Sequence, residues 1–135
     1  MIIHRRITIL NISKPVERNI NAELQWLGDS LGLFSLRDKD KSCFRIFLEL
    51  LRSARHGESL NSDEIATKSS LTRGTVIHHL NKLMDAGIVV HSKSRYMLRV
   101  DKLELLVSEL EKDLASATTE LKQVAMDIDR LMGNF

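Results

Sequence analysis

Residues 60–98 carry the start and stop signals of four short elements in immediate succession. Two stretches with apolar residues at helical spacing flank a break at Ser69 and Ser70, which predicts two helices, the second over residues 72–86. A β-branched run, a polar turn and an alternating stretch then predict a two-stranded hairpin over residues 88–100. This order predicts a helix-turn-helix followed by a β-wing, within a mainly α-helical (α+β) fold.

Residues suited to capping mark the ends of the two helices. Ser62 is expected to cap the first helix, and Asp63 and Glu64 place negative charge in its first turn, where the helix dipole favours it. Thr72 can cap the second helix, and Gly87 supplies the left-handed conformation that commonly follows a helix end.

The outer face of the second helix is small, polar and basic. With Leu80 at the centre of the buried face, helical geometry places the polar residues on the opposite side or at the leading end. No carboxylate occurs before Asp85, which suits a surface that reads the DNA major groove. A solvated helix face is the plainer alternative. Six candidate DNA contacts on this helix and two on the wing are Thr72, Arg73, Thr75, His78, Asn81, Lys82, Lys93 and Arg95.

The segment TRGTVIHHLNKLMDAGIV resembles the recognition-helix signature of winged-helix transcriptional regulators of the ArsR/MarR type. The resemblance covers about 40 residues and implies a winged-helix fold and DNA binding, without naming a regulated gene or a signal. The matching residues are Glu64, Ile65, Ala66, Thr75, Val76, His79, Leu80, Leu83, Gly87 and Ile88.

Positive charge is concentrated on the same segment. Residues 65–100 contain six basic residues and one acidic residue, a net charge of +5, whereas residues 101–135 contain four basic and eight acidic residues, a net charge of −4. A local positive field attracts DNA phosphates, so double-stranded DNA is the predicted partner.

Length and composition predict one domain with appended segments. The chain has 135 residues, 43% of them hydrophobic, and a single cysteine, which cannot form an intrachain disulfide. It contains no run of about 18 apolar residues and no credible signal peptide, so no membrane association is expected. Together these features predict a cytoplasmic protein in a reducing compartment.

The C-terminal residues 101–135 carry an apolar repeat with alternating steps of four and three. The repeat predicts one long helix, capped by Asp101 with Glu104, that measures roughly 50 Å. Such a helix cannot bury its stripe on a winged helix alone, so we expect a homodimer through a second copy of it, parallel or antiparallel. The predicted interface comprises Leu103, Val107, Leu110, Leu114, Ala117, Leu121, Val124, Ile128 and Leu131, and Phe135 continues the repeat.

The N-terminal region is expected to support this dimer. Leu106, Ala125 and Met132 widen the C-terminal stripe, which suggests that a third helix covers it. Residues 15–34 have similar apolar spacing, with Pro15 in the first turn. The alternative is that residues 15–34 belong to the winged-helix core of one subunit. The residues before Pro15 could form a strand, whose partner the sequence does not identify.

Residues 38–55 are predicted to form the first helix of the winged-helix core, capped by Ser42 or Asp40. Its buried face would comprise Phe44, Phe47, Leu48 and Leu51, with Cys43 beside it as a structural thiol rather than a redox sensor. The predicted organisation is thus a strand and helix at 1–37, a DNA-binding domain at 38–100 and a dimerisation helix at 101–135.

Several kinds of chemistry are not expected. The chain lacks paired cysteines, and the adjacent His78 and His79 point about 100° apart on a helix, so no metal site or other cofactor is predicted. No phosphate loop or catalytic arrangement is recognisable, which argues against an enzyme. Two function classes remain: a dimeric, sequence-specific transcriptional regulator, or a winged-helix architectural chromatin protein or protein-association module.

Overall fold

The computed structural model describes residues 5–34 and 41–133. It contains five helices and one two-stranded antiparallel sheet within those ranges. In chain order these are α1 (Ile20–Ser30), α2 (Ser42–Arg55), α3 (Ser62–Ser69), α4 (Arg73–Asp85), β1 (Val89–Ser92), β2 (Arg95–Leu98) and α5 (Leu103–Met132). The predicted mainly helical winged helix-turn-helix with a long C-terminal helix is confirmed.

Residues suited to helix ends define where α3 begins and where α3 and α4 end. Asn61 caps α3 through its side chain, which accepts from the backbone N–H of Glu64, while the Glu64 carboxylate accepts from the backbone N–H of Asn61. The prediction that Ser62 caps this helix was wrong by one residue, since this reciprocal pairing with Glu64 satisfies two N–H groups. Ser70, with φ +55°, ends α3, and Gly87, with φ +77°, follows α4.

The wing is a short hairpin that continues into the core. Val89 pairs with Leu98 and Ser92 with Arg95, and Lys93 and Ser94 make the turn between the strands. Tyr96 also exchanges two backbone hydrogen bonds with Leu60, of 3.0 and 2.6 Å. The hairpin is therefore anchored to the segment that precedes α3.

One hydrophobic core joins the helices to the wing. Its fully buried side chains come from α2, α3, α4, the wing, α5 and the segment after α1, and include Leu33, Phe47, Ile46, Leu50, Ile65, Leu80, Leu83, Ile88 and Leu106. In α2, Phe44, Phe47 and Leu51 are buried as predicted, and Leu48 is half-buried. Cys43 is buried as well. The predicted cap at Ser42 was wrong: Ser42 is the first residue of α2, and Lys41 occupies the cap position without a side-chain capping bond. The other predicted cap, Asp40, lies outside the described residues.

The N-terminal region differs from its prediction. The helix begins at Ile20, capped by the Asn19 side chain, rather than at Pro15, and Val16 is fully exposed. Residues 5–15 form no strand: this arm is tied to the body by single backbone hydrogen bonds from Arg6 to Asp85 and from Leu10 to Ser30. A lone extended segment forms no ladder, and within residues 5–34 and 41–133 no strand pairs with it. Residues 1–4, part of the same prediction, lie outside the described residues.

The segment that follows α1 packs on the winged helix of its own chain. Leu33 is buried, and the ring of Phe34 meets that of Phe44 edge-on at 4.9 Å. A Cβ atom on Gly28 would lie 2.5 Å from the Phe34 ring, so glycine permits this close approach. Residues 28–34 thus pack on the winged helix of the same chain, while the assignment of residues 15–34 as a whole, to the dimer interface or to the winged-helix core, stays a prediction.

Helix α5 has two parts. Leu106 and Leu110 are buried against the core, whereas residues 114–133 are all exposed. The predicted cap at Asp101 was wrong: Lys102 occupies the cap position and makes no side-chain capping bond. The exposed part still carries the apolar repeat, and Phe135 lies outside the described residues.

Candidate nucleic-acid interface

The leading end of α4 is an exposed helix N-terminus without acidic residues. Thr72 caps it, with its hydroxyl oxygen accepting from the backbone N–H of Thr75 at 3.2 Å. The Thr72 hydroxyl also lies 2.9 Å from that of Thr75, and Thr75 is half-buried. Both hydroxyls thus organise the helix end, whose free backbone N–H groups and positive dipole favour a phosphate.

Arg73 points into solvent rather than towards the core. Its side chain is 71% exposed, and the closest carboxylate in the described chain is that of Asp63, at 3.9 Å from Nε. This contact joins two strongly exposed side chains, since that of Asp63 is 78% exposed, and such pairs contribute little energy. The guanidinium is therefore available to a base or phosphate, although the position of Arg73 around the helix axis lies near the buried face.

The middle of the α4 outer face is exposed as predicted. His78, Asn81 and Lys82 are all exposed, while Val76, Leu80 and Leu83 are buried on the opposite side. The helical geometry of the sequence thus separates the two faces correctly. Each exposed side chain can act as a hydrogen-bond donor, which suits base edges and phosphates.

The N-terminal arm lies beside this face, which the sequence analysis did not anticipate. A cleft of about 350 Å³ is lined by Arg6 and Thr8 of the arm and by His78, Asn81 and Lys82 of α4. The backbone N–H of Arg6 donates to the carbonyl oxygen of Asp85 at 2.9 Å. The sequence predicted only a possible strand here, and its basic residues Arg5 and Arg6 gave no position for it.

The two basic wing residues have different surroundings. Lys93 is exposed in the turn, with φ +51°, and no ion pair involves it among the described residues. Arg95 instead donates to the Ser59 hydroxyl and carbonyl oxygens at 2.8 and 2.6 Å and lies 3.3 Å from the Glu64 carboxylate. Lys93 is therefore the more available phosphate contact, and Arg95 holds the wing against α3.

A cluster of charges connects the wing to α5. Arg99, just after β2, donates to both carboxylate oxygens of Asp113 and to Glu109. Its hydrogen bond holds the pKa of the Asp113 carboxyl below its ordinary value, against the opposing effect of burial. Arg5 adds a further contact, with Nε 3.7 Å from the same carboxylate. These contacts fix the direction in which α5 leaves the body.

Comparison with known proteins supports a regulator. Residues 47–90 match the family model described as "Bacterial regulatory protein, arsR family". The match spans most of α2, all of α3 and α4 and the start of β1, about one third of the chain. It indicates the helix-turn-helix of a DNA-binding regulator. Searches of curated proteins and of solved structures gave no match.

Two other kinds of site are not found among residues 5–34 and 41–133. No helix there is both long and apolar enough to cross a membrane. No group of three or more His, Cys, Asp or Glu side chains lies close enough together there to hold a metal ion.

Proposed function

We propose that this chain is a dimeric transcriptional regulator that reads the major groove with residues 72–86 and contacts phosphates with the wing at 88–100. The observation that carries this proposal is the exposed, carboxylate-free leading end of α4, with a basic wing turn on the same domain. Helix-turn-helix proteins insert the N-terminal residues of the second helix into the major groove. The arsR-family match over the same helices supports this use.

Each candidate side chain has a distinct proposed role. Arg73 is the best candidate for a guanine, because its planar fork matches the O6 and N7 acceptors. Thr75 could meet a thymine methyl group or a phosphate, and His78 a base edge or phosphate. Asn81 and Lys82 lie further along the helix, where the DNA backbone is the expected contact. Thr72 is proposed to act mainly through the helix end that it caps.

Dimerisation is proposed to occur through the exposed part of α5. Leu103 is half-buried and Leu110 buried within their own chain, so the surface left for a partner begins at Val107 and continues from Leu114. Leu121, Val124 and Leu131 are more than half exposed, an arrangement that is unfavourable for large apolar side chains along 20 residues. A second copy of the same stripe would cover it. The remaining interface positions on this stripe are Ala117 and Ile128.

A dimer would allow its two recognition helices to bind one DNA duplex together. Two copies of α4 would contact two half-sites one helical turn apart, or a multiple of it, on a palindromic operator. A cytoplasmic location and the absence of enzymatic activity belong to the same proposal. An architectural or protein-association role would instead need no preference among DNA sequences.

The preference between two DNA sequences, measured at several salt concentrations, separates these roles. The full chain should be titrated onto an operator obtained by selection from random DNA and onto a scrambled duplex of equal length and composition, at several salt concentrations. A regulator should prefer the operator by at least about a thousandfold while losing affinity for both DNAs as salt rises. Equal affinity for both, or no binding, would contradict the proposal and favour the architectural or protein-association role.

A further inference from the structure

The N-terminal arm presents a basic side chain beside the outer face of α4. The cleft between them, of about 350 Å³, is lined by Arg6 and Thr8 of the arm and by His78, Asn81 and Lys82 of the helix. Arg6 is exposed, as are the three α4 residues. The function proposed above assigns DNA contacts to α4 and the wing and leaves the arm without a role.

Hydrogen bonds of its backbone hold the arm in this place. The backbone N–H of Arg6 donates to the carbonyl oxygen of Asp85 at 2.9 Å, and that of Leu10 donates to the end of α1 at 2.7 Å. Further along, the indole nitrogen of Trp26 donates to the carbonyl oxygen of Ile12 at 3.1 Å. None of these three bonds uses the side chain of Arg6, so its guanidinium remains available to a ligand.

A glycine allows the arm to pack closely against the segment after α1. Gly32 has φ +70°, and a Cβ atom there would lie 2.7 Å from the Cγ2 atom of Thr8. Glycine therefore supplies both the left-handed conformation and the space for Thr8. This packing keeps Thr8, and Arg6 two residues before it, beside α4.

The cleft carries more positive than negative charge. Arg6 and Lys82 line it, against the single carboxylate of Asp85. Among residues 5–34 and 41–133, neither cation forms an ion pair. The neighbouring Arg5 differs, because its Nε lies 3.7 Å from the Asp113 carboxylate. Two unpaired cations from separate elements favour an anion such as a phosphate.

The length of α4 indicates which part of the DNA the cleft would meet. Asp85 is the last of the 13 residues of α4, so it lies about 18 Å along the helix axis from Arg73 at 1.5 Å per residue. The major groove is only about 12 Å wide and 8.5 Å deep. With its leading end among base edges, α4 therefore places the cleft outside the groove. We infer that Arg6 binds a backbone phosphate of the DNA that α4 contacts, with Lys82 as the second cation. The contact requires DNA binding by α4, as proposed above.

Fluorescence anisotropy of the full chain with operator and scrambled duplexes, over a range of salt concentrations, tests the contact. Arg6→Gln should weaken binding to both DNAs about three- to tenfold and reduce the salt slope by about one unit, since a phosphate contact carries no sequence information. Arg6→Lys keeps the charge and should retain the slope. Lys14→Gln is the matched control, because it removes a charge from the same arm outside the cleft. Unchanged emission of Trp26, which contacts the arm at Ile12, verifies that the arm keeps its place.

Three results would overturn the phosphate contact. The first is a salt slope of Arg6→Gln equal to that of wild type or of Lys14→Gln. The second is an Arg6→Lys slope as low as that of Arg6→Gln. The third is a loss of affinity for the operator alone, which would mean that Arg6 reads a base.

The same titrations separate this contact from the proposed regulatory function. Equal binding of both duplexes by wild type would contradict a sequence-specific regulator, whereas a reduced slope of Arg6→Gln on those duplexes would still support the phosphate contact. A clear operator preference with no effect of Arg6→Gln would support the regulator and overturn the contact. A wild-type protein that binds neither duplex would contradict both.

Discussion

Arg99 and Asp113 form a two-pronged ion pair between the end of the wing and α5. The guanidinium donates to the two carboxylate oxygens at 2.6 and 3.2 Å, and only about a fifth of each side chain is exposed. Partial burial shields the pair from solvent screening, and the paired geometry restricts the orientation of both elements. The pair therefore connects the wing, which is proposed to contact DNA, to the helix proposed for dimerisation.

Asp113→Asn should destabilise the fold by about 1–2 kcal/mol at neutral pH, because it removes a charge-assisted pair and leaves Arg99 with a weaker partner. The pKa of Asp113 is lowered in the folded state, so its contribution is complete above the ordinary value of 3.8 and is lost as pH falls through the lower folded pKa. Urea unfolding at several pH values and constant protein concentration measures this. Asp127→Asn, which breaks an exposed pair with Arg130, is the control with little expected effect.

Leu121→Asp should convert the dimer into a monomer without unfolding the chain. Leu121 is 69% exposed in the single chain, so a charge there is tolerated alone but would be buried unpaired in a dimer seam. Leu114→Asp should act in the same way. Thr119→Asp, on the opposite side of the helix, is the matched control. Sedimentation equilibrium measures the change, and a Leu121→Asp protein that sediments as a dimer like wild type would rule out this seam.

Leu110→Ala should instead destabilise the folded chain by about 2–5 kcal/mol, because Leu110 is a buried core residue. Thermal or urea unfolding measures the loss. Deletion of residues 101–135 removes Leu106 and Leu110 together and would therefore disturb the fold as well as the dimer. A Leu110→Ala variant as stable as wild type would show that the start of α5 is not part of the core.

Lys93→Ala should weaken binding to all DNA sequences alike and reduce the salt slope by about one unit. Adding Arg95→Ala should bring the reduction to about two units if Arg95 leaves Glu64 to contact a phosphate. Fluorescence anisotropy over a range of salt concentrations measures the slopes, with Lys122→Ala on α5 as the control. An unchanged slope for both variants would mean that the wing does not contact DNA.

The winged helix was predictable because its signals are local. Thr72 and Gly87 mark the ends of α4, and the alternation from Arg95 to Val100 is short and regular, so no distant contact is needed to position these elements. The separation of Leu80 from His78 and Lys82 follows from helical geometry alone. These are the parts that the structure confirms.

The remaining differences come from contacts between distant residues. The arm is held against α1 and α4 by hydrogen bonds from the backbone N–H groups of Arg6 and Leu10 to backbone oxygens. Such bonds leave no pattern in the sequence. The apolar repeat of α5 likewise does not reveal that Leu110 faces the core of its own chain while Leu121 does not. Arg95 was predicted from its charge and its place beside the wing turn, without the Ser59 and Glu64 contacts that hold it.

The most direct test of the account measures how substitutions in α4 affect operator and scrambled DNA. Wild type and the variants Arg73→Ala, Thr75→Ala and His78→Ala are titrated onto both duplexes at one salt concentration. Arg73→Ala should cost about 1–3 kcal/mol on the operator, much less on scrambled DNA, and relax specificity at one base pair per half-site. If all three variants lose affinity equally on both DNAs, α4 does not read sequence, and the architectural role becomes the better explanation.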